Sequence, residues 1–195
     1  LAGRGGSRYR DPPRPASSKP LRAVLAGAAE VLGDARFMLM IVVYSGFWIL
    51  YFQNFGSVLW YLRDFVDKEP VNRAVTGVLA ALGLGWKFSF DAEHVTVINA
   101  GVIILLQVAV SRIVRERRPL PTMVAGMALG ALGFLCLAAS TNAWVFVLGI
   151  AVFSIGEMTA HPKYYSFVGL VAPKDRVAVY MGYAFLYGVF GSLLG

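Results

Sequence analysis

Long uncharged stretches separated by short charged segments dominate the hydrophobic pattern of this chain. No charged residue occurs in segment 37–62 or in segment 119–156. Because a helix rises about 1.5 Å per residue, roughly 20 apolar residues cross a hydrocarbon core that is about 30 Å thick. The first segment therefore predicts one membrane span. The second is long enough for two, with the polar residues 140–142 as the turn between them.

The remaining apolar runs complete the predicted architecture, an all-α membrane protein built as a polytopic helical bundle. Segment 21–36 is amphipathic but shorter than a span, which predicts an interfacial helix on the membrane surface. An apolar piece at 74–86 is also too short to cross, so it predicts an interfacial helix or the extension of a neighbouring helix. The five predicted spans cover residues 37–62, 95–111, 121–139, 143–171 and 177–195.

Composition agrees with a membrane protein, since 57% of the residues are hydrophobic and 15% are charged. Soluble domains carry roughly 45–50% apolar and about 25% charged residues. The formal net charge of +7 does not indicate nucleic acid as a partner, because the basic residues form short clusters between apolar runs rather than one stripe with interleaved aromatics. Such clusters suit anionic lipid headgroups.

The positive-inside rule orients the predicted spans. Segments 4–22, 112–118 and 174–176 are all basic, and alternation of the spans places them on one side of the membrane. This side is predicted to be cytoplasmic, in a multi-pass protein of the cell (inner) membrane. Residues 1–20 are rich in Arg, Pro and Ser without an apolar core, which excludes a signal peptide and predicts a flexible cytoplasmic linker.

The ends of the chain and its motifs narrow the function classes. The chain starts at Leu1 and stops inside an uncharged stretch, so we interpret it as a piece of a longer protein. Its single cysteine, Cys136, excludes an intrachain disulfide and a cysteine metal cluster. The sequence contains no HExxH motif, Walker loop or nucleophile elbow. We therefore expect neither an enzyme nor a cofactor or metal site.

Glu157 is the sharpest candidate functional residue. It follows the long uncharged segment and lies well inside its predicted span, where ionisable groups cost roughly 2.5–3.5 kcal/mol and usually serve a function. A carboxylate there could hold a cationic group of a substrate or take up a proton. The alternative is local neutralisation by His161 or Lys163, which follow on the same helix.

Polar residues in the first two spans are further candidates for a substrate site. Gln53 and Asn54 interrupt an aromatic-rich segment that includes Trp48. Amides beside aromatic rings suit an amphipathic substrate, although they also suit hydrogen bonds between helices. Asn99 and Gln107 lie two turns apart on one face of the second span and leave the same two alternatives open.

Two further features concern helix shape and packing. Pro162 is expected to kink its helix, as happens where transporter helices line a cavity. The neighbouring His161 is either a proton relay or a packing residue, and Lys163 is expected to snorkel to the interface. Gly126 and Gly130 form a GxxxG pair that permits close contact with another helix in lipid.

Several motifs resemble the proton-dependent oligopeptide transporter (peptide transporter) branch of the major facilitator superfamily. Segment 47–54 is similar to the seventh helix of that family, and segment 98–104 is similar to the opening of the eighth, with Ala100 in place of the usual proline. The strongest likeness joins segment 155–158 to Pro162, 171–173 and 181–182, in the order of the tenth helix, the following loop and the eleventh helix.

The resemblance implies helices seven to eleven of a twelve-helix fold, which work by alternating access with the N-terminal half of the same protein. It implies a secondary active transporter, with proton symport of peptides or similar small polar solutes. The implied partners are a small-molecule or peptide substrate, the proton and membrane lipid. It also implies that Glu157 and Asn99 face the cavity. Together with the polar and aromatic residues of the first span, the expected substrate-binding residues are Glu157, Asn99, Gln53, Asn54 and Trp48, with Glu157 also the candidate for proton coupling.

Three other functions are compatible with a helical membrane protein of this kind, and each predicts a different observation. A transporter of another solute class, such as a drug, sugar or organic ion, would share the fold and differ in uptake specificity. A membrane receptor on the same fold would bind its ligand without counterflow. An integral membrane enzyme would need a cluster of catalytic residues at one membrane face.

Overall fold

Helices and short turns make up residues 21–195, the part of the chain that the computed structural model describes, apart from one isolated bridge between Asp67 and Asn142. The predicted linker at 1–20 lies outside the described residues. The described helices are α1 (Leu21–Gly33), α2 (Ala35–Gln53), α3 (Ser57–Asp64), α4 (Glu69–Ala81), α5 (Glu93–Val114), α6 (Pro119–Ala139), α7 (Ala143–Val171), α8 (Val177–Ala184) and α9 (Leu186–Leu194).

The predicted all-α bundle with five spans is confirmed. Five helical segments are long and apolar enough to cross a bilayer: Ala35–Asp64, Glu93–Val114, Pro119–Ala139, Ala143–Val171 and Val177–Leu194. The second span is longer at both ends than predicted. Its first turn contains Glu93 and its last turn Arg112. Because these charges suit the ends of the helix dipole, the helix continues past the apolar core into the interface.

Two of the predicted spans are not single helices. The first breaks at residues 54–56, where Gly56 leaves the helical region with φ −125 and ψ −106. The Ser57 hydroxyl donates to the side-chain oxygen of Gln53 across this break. The last span breaks at Phe185, between α8 and α9. Apolar patterning predicts the length of a span but carries no signal for a short irregularity within it.

The segment between the first two spans folds differently from its prediction. The short apolar helix begins at Glu69 rather than at residue 74, with a proline in its first turn, and it ends before Gly83, whose φ of +76 suits glycine. The following loop returns to the helix. The backbone amides of Phe88 and Phe90 donate to the side chains of Thr76 and Asn72, at 3.0 and 2.7 Å.

Helices α6 and α7 form the tightest pair in the bundle. A Cβ atom added at Gly126 would lie 2.6 Å from the backbone nitrogen of Ala160, and one added at Gly156 would lie 2.5 Å from that of Gly130. The backbones therefore meet with no room for a side chain. The sequence prediction of a close-packed face around Gly126 and Gly130 is confirmed, and α7 supplies the matching glycine.

Contacts between connections show which ends of the spans lie together. Arg176, before α8, forms an ion pair with Glu30 of α1 at 2.6 Å, and the Tyr180 hydroxyl donates to Asp34 at 3.1 Å. At the opposite end, the backbone of Asp67 bonds to the turn between α6 and α7 through Thr141. The first, third and fifth spans therefore start at one end of the bundle, as an alternating topology requires.

Lys163, a buried residue of α7, contacts the end of α5. Its Nζ donates to the backbone carbonyls of Arg115 and Arg117, at 2.9 and 2.8 Å, just beyond the last turn of α5. A cation at this place satisfies carbonyls that have no donor within the helix and complements its dipole. The expectation that Lys163 snorkels to the interface is wrong, because its side chain is buried and caps the end of α5.

Lys163→Met should destabilise the protein measurably. Hydrogen bonds to charged groups contribute about 1.5–3 kcal/mol, and the variant leaves two carbonyls without that donor while it keeps most of the aliphatic volume. We expect a lower unfolding temperature in detergent. Lys174→Met removes the same charge from an exposed loop residue and is the matched control. Equal unfolding temperatures for the two variants would contradict the capping role.

Candidate functional site

A groove between α5 and α7 holds the densest group of polar side chains in a described cavity of the bundle. It encloses about 810 Å³ and is open along one side. Its apolar wall includes Ile103, Val108 and Met158. We call it the polar groove. Its polar lining consists of Gln107, Ser111, Arg112, Arg115, Glu157, His161, Lys163 and Ser166.

Glu157 lines this groove and is hydrogen-bonded to Asn99, which lines a smaller neighbouring pocket, although 58 positions separate the two in the sequence. The amide nitrogen of Asn99 donates to Glu157 Oε2 at 3.2 Å and to the Ser154 hydroxyl at 2.9 Å. Ser154 is fully buried and donates in turn to the carbonyl of Ile150 at 2.8 Å. This chain of hydrogen bonds fixes Asn99, which in turn orients the carboxylate.

No lysine, arginine or histidine nitrogen lies within 4.0 Å of the Glu157 carboxylate among residues 21–195. The alternative of local neutralisation fails in this part of the chain. Lys163 is engaged with the end of α5, and His161 bonds to the Tyr44 hydroxyl through Nδ1 at 3.0 Å. A half-buried carboxylate without a counter-charge can bind a cationic group or a proton.

Pro162 follows Glu157 by five positions in the long helix α7. Proline has no amide hydrogen, so it cannot donate to the carbonyl of Met158 one turn earlier. Pro162 and Met158 both line the polar groove. The helix therefore loses one internal hydrogen bond on the wall of a cavity, where a solute or water can compensate for it.

An aromatic cluster lies behind the histidine of the groove. The His161 ring centroid lies 5.1 Å from that of Tyr165 and 5.5 Å from that of Trp48, both in edge-on arrangements. Trp48 also packs on Tyr187 at 4.9 Å, and its indole nitrogen is buried without a hydrogen-bond partner among the described residues. Trp48 thus lies next to a groove residue rather than on the lining itself.

The two amides of the first span occupy different places from Glu157. Asn54 is buried next to Asn99 in a separate pocket of about 50 Å³, where its side-chain oxygen has no partner among the described residues. Gln53 lies in a third cleft, towards α6, and donates to the carbonyl of Gly195 at 2.6 Å. The structure therefore brings Glu157, Asn99 and Asn54 together and leaves Gln53 apart.

Sequence reasoning missed several residues of this region. Ser154 supports Asn99, and Tyr44 binds His161 across 117 positions. A serine or tyrosine in an apolar helix is common, so neither carries a signal by itself. Arg112 and Arg115 stand out in the sequence as topology signals, whereas the structure also places them at the end of the polar groove.

The family model described as Major Facilitator Superfamily matches residues 6–195, which is nearly the whole chain. The chain belongs to the Major Facilitator Superfamily. This major facilitator protein is accordingly an integral, multi-pass membrane transporter whose family binds small-molecule substrates within the membrane. Among the curated proteins and the solved structures that were compared with it, none matches.

Proposed function

We propose that this transporter is a proton-coupled symporter of peptides or similar small polar solutes. The observation that supports this best is the position of Glu157, a carboxylate on the wall of a polar groove with no cationic partner in the described residues. A solute amine and a proton are the two species that such a group binds. Movement of both in the same direction requires that the conformational change occur when the groove holds the solute and the proton together.

The polar groove offers complementary groups for a small polar solute. Glu157 lies on its wall and is hydrogen-bonded to Asn99, while Arg112 and Arg115 line the part near the end of α5. An amine at the carboxylate and a carboxyl group near a guanidinium would each find an opposite charge. The second amide, Asn54, extends the site beyond Asn99. Trp48 contributes by packing against His161, which lines the groove. Gln53 is kept as a further candidate at the break of the first span.

Alternating access gives the arrangement its mechanism. We assign the five spans to helices seven to eleven of a twelve-helix fold, on the peptide-transporter-like motifs around Glu157. The polar groove then faces the N-terminal half of the same protein, and the two halves rock about the bound solute. Helix α1 lies at the cytoplasmic interface of the cell (inner) membrane. The fit of the basic segments to the positive-inside rule supports this orientation.

Uptake into proteoliposomes tests the proposal. With an imposed gradient, acidic outside, we expect accumulation of radiolabelled di- or tripeptide above equilibrium, and a protonophore should abolish it. Sugars, organic cations and hydrophobic drugs serve as parallel solutes in the same vesicles. Accumulation of one of these in place of peptide would assign another solute class. Peptide equilibration that does not respond to the gradient would remove proton coupling from the proposal.

A further inference from the structure

A second groove lies on the other side of α5, between that helix, α6 and α7. It encloses about 440 Å³ and is open along its length. Its lining is almost wholly apolar and includes Ile113, Pro121, Ala125, Leu129 and Ile155. We call it the apolar groove. The polar groove on the opposite side of α5 contains a carboxylate and a histidine, so the two faces of this helix meet different surroundings.

The apolar groove ends at a turn that carries exposed arginines. Arg117 lines the groove itself, and Arg115 and Arg118 are its exposed neighbours in the same turn. Within residues 21–195, no carboxylate oxygen lies within 4.0 Å of any of their guanidinium nitrogens. Glu116, in the same turn, is also exposed, but its single negative charge is outnumbered by the three arginines, so the net charge of the turn is positive.

The turn that carries these arginines is held from inside. Lys163 donates to the carbonyls of Arg115 and Arg117, and the Thr122 hydroxyl donates to that of Arg118 at 2.8 Å. Because the backbone is fixed by these three bonds, the guanidinium groups start from a constant position at the groove end. The backbone conformation of this turn is therefore defined by contacts with α6 and α7.

We propose that the apolar groove is a binding site for an anionic phospholipid. One acyl chain lies along Ile113, Ala125 and Leu129, and the headgroup phosphate accepts hydrogen bonds from Arg117 and Arg118. Arginine binds phosphate through two parallel hydrogen bonds, and basic pockets between spans are typical sites for anionic headgroups. A zwitterionic lipid offers the same chains without the net charge. A water-soluble phosphate offers the charge without the chain, which leaves the apolar groove unfilled.

Native mass spectrometry of the purified protein measures this binding directly. The protein in detergent micelles is titrated with phosphatidylglycerol, phosphatidylcholine or glycerol phosphate. It is then released from the micelles in the spectrometer, and the mass of the bound molecules is measured. We expect bound phosphatidylglycerol at a concentration about tenfold lower than phosphatidylcholine, a difference of roughly 1.4 kcal/mol, because basic residues at a membrane surface attract anionic headgroups. No adduct with glycerol phosphate is expected in the same range.

Two variants separate the parts of the site. Arg117→Gln should remove the preference for phosphatidylglycerol, and Ala125→Phe should reduce binding of both lipids because the ring fills the groove. Their matched controls are Arg36→Gln, an exposed arginine at the same end of the bundle, and Ala128→Phe, an exposed alanine of α6 outside the groove. Binding unaffected by both site variants, or reduced equally by a variant and its control, would overturn the proposal.

Discussion

Glu157→Gln should reduce gradient-driven uptake by about tenfold or more, which corresponds to roughly 1.4 kcal/mol of lost transition-state stabilisation. The amide keeps the size of the side chain and can still accept the hydrogen bond from Asn99, so the helix packing remains intact. It cannot carry a negative charge or exchange a proton. Uptake should therefore lose its dependence on pH, and solutes with an amine should lose affinity.

The control for this variant is Glu116→Gln, which makes the same chemical change in an exposed turn. Uptake is measured in proteoliposomes across a series of external pH values, with the amount of folded protein checked by gel filtration. The control should match wild type at every pH. A Glu157→Gln protein with the pH profile and uptake of wild type would remove the carboxylate from the mechanism.

Gly156→Val should prevent correct assembly of the bundle. A Cβ atom at this position would lie 2.5 Å from the backbone nitrogen of Gly130 and 2.6 Å from the carbonyl oxygen of Gly126. Backbone atoms in a helix cannot move aside as a flexible side chain can, so α6 and α7 must separate. Overpacking usually costs about 1–3 kcal/mol per site, and a branched side chain against a rigid backbone lies at or above the top of that range.

The measurement for the glycine variant is the yield of monodisperse protein in detergent, followed by its unfolding temperature. Gly101→Val is the matched control, because a Cβ atom at Gly101 in α5 has no other atom within 4 Å. We expect aggregated or strongly destabilised protein for the first variant and near wild-type behaviour for the second. Equal stability of the two would contradict the close approach of α6 and α7.

The sequence predicted the spans well because the physics of a span is local. An uncharged segment of sufficient length must lie in hydrocarbon, and the structure has five apolar helical segments long enough to span a membrane, as the apolar runs predict. The break at 54–56 and the start of α4 at Glu69 were not predicted, since short irregularities depend on single residues such as Gly56. Apolar patterning is insensitive to them.

The candidate site was only partly predictable for a different reason. Glu157 stands out in a single sequence because a charge inside a long apolar segment is costly. Its bond to Asn99 joins residues on α7 and α5, and no periodicity within one helix connects them. The same holds for Lys163, whose partners are backbone carbonyls 46 and 48 positions away. Local patterns identify polar residues in a membrane, but tertiary packing decides which of them meet.

Water access to the polar groove tests the central claim of this account most directly. In a Cys136→Ser background, cysteine is placed at Gln107 or Glu157 in the polar groove, or at the exposed Val124 on α6. A charged methanethiosulfonate reagent is then applied to both sides of the membrane. We predict rapid labelling at positions 107 and 157, slowed by bound substrate at position 107, and negligible labelling at 124. Labelling at 124 with none at 107 and 157 would show that the polar groove faces lipid and would contradict the account.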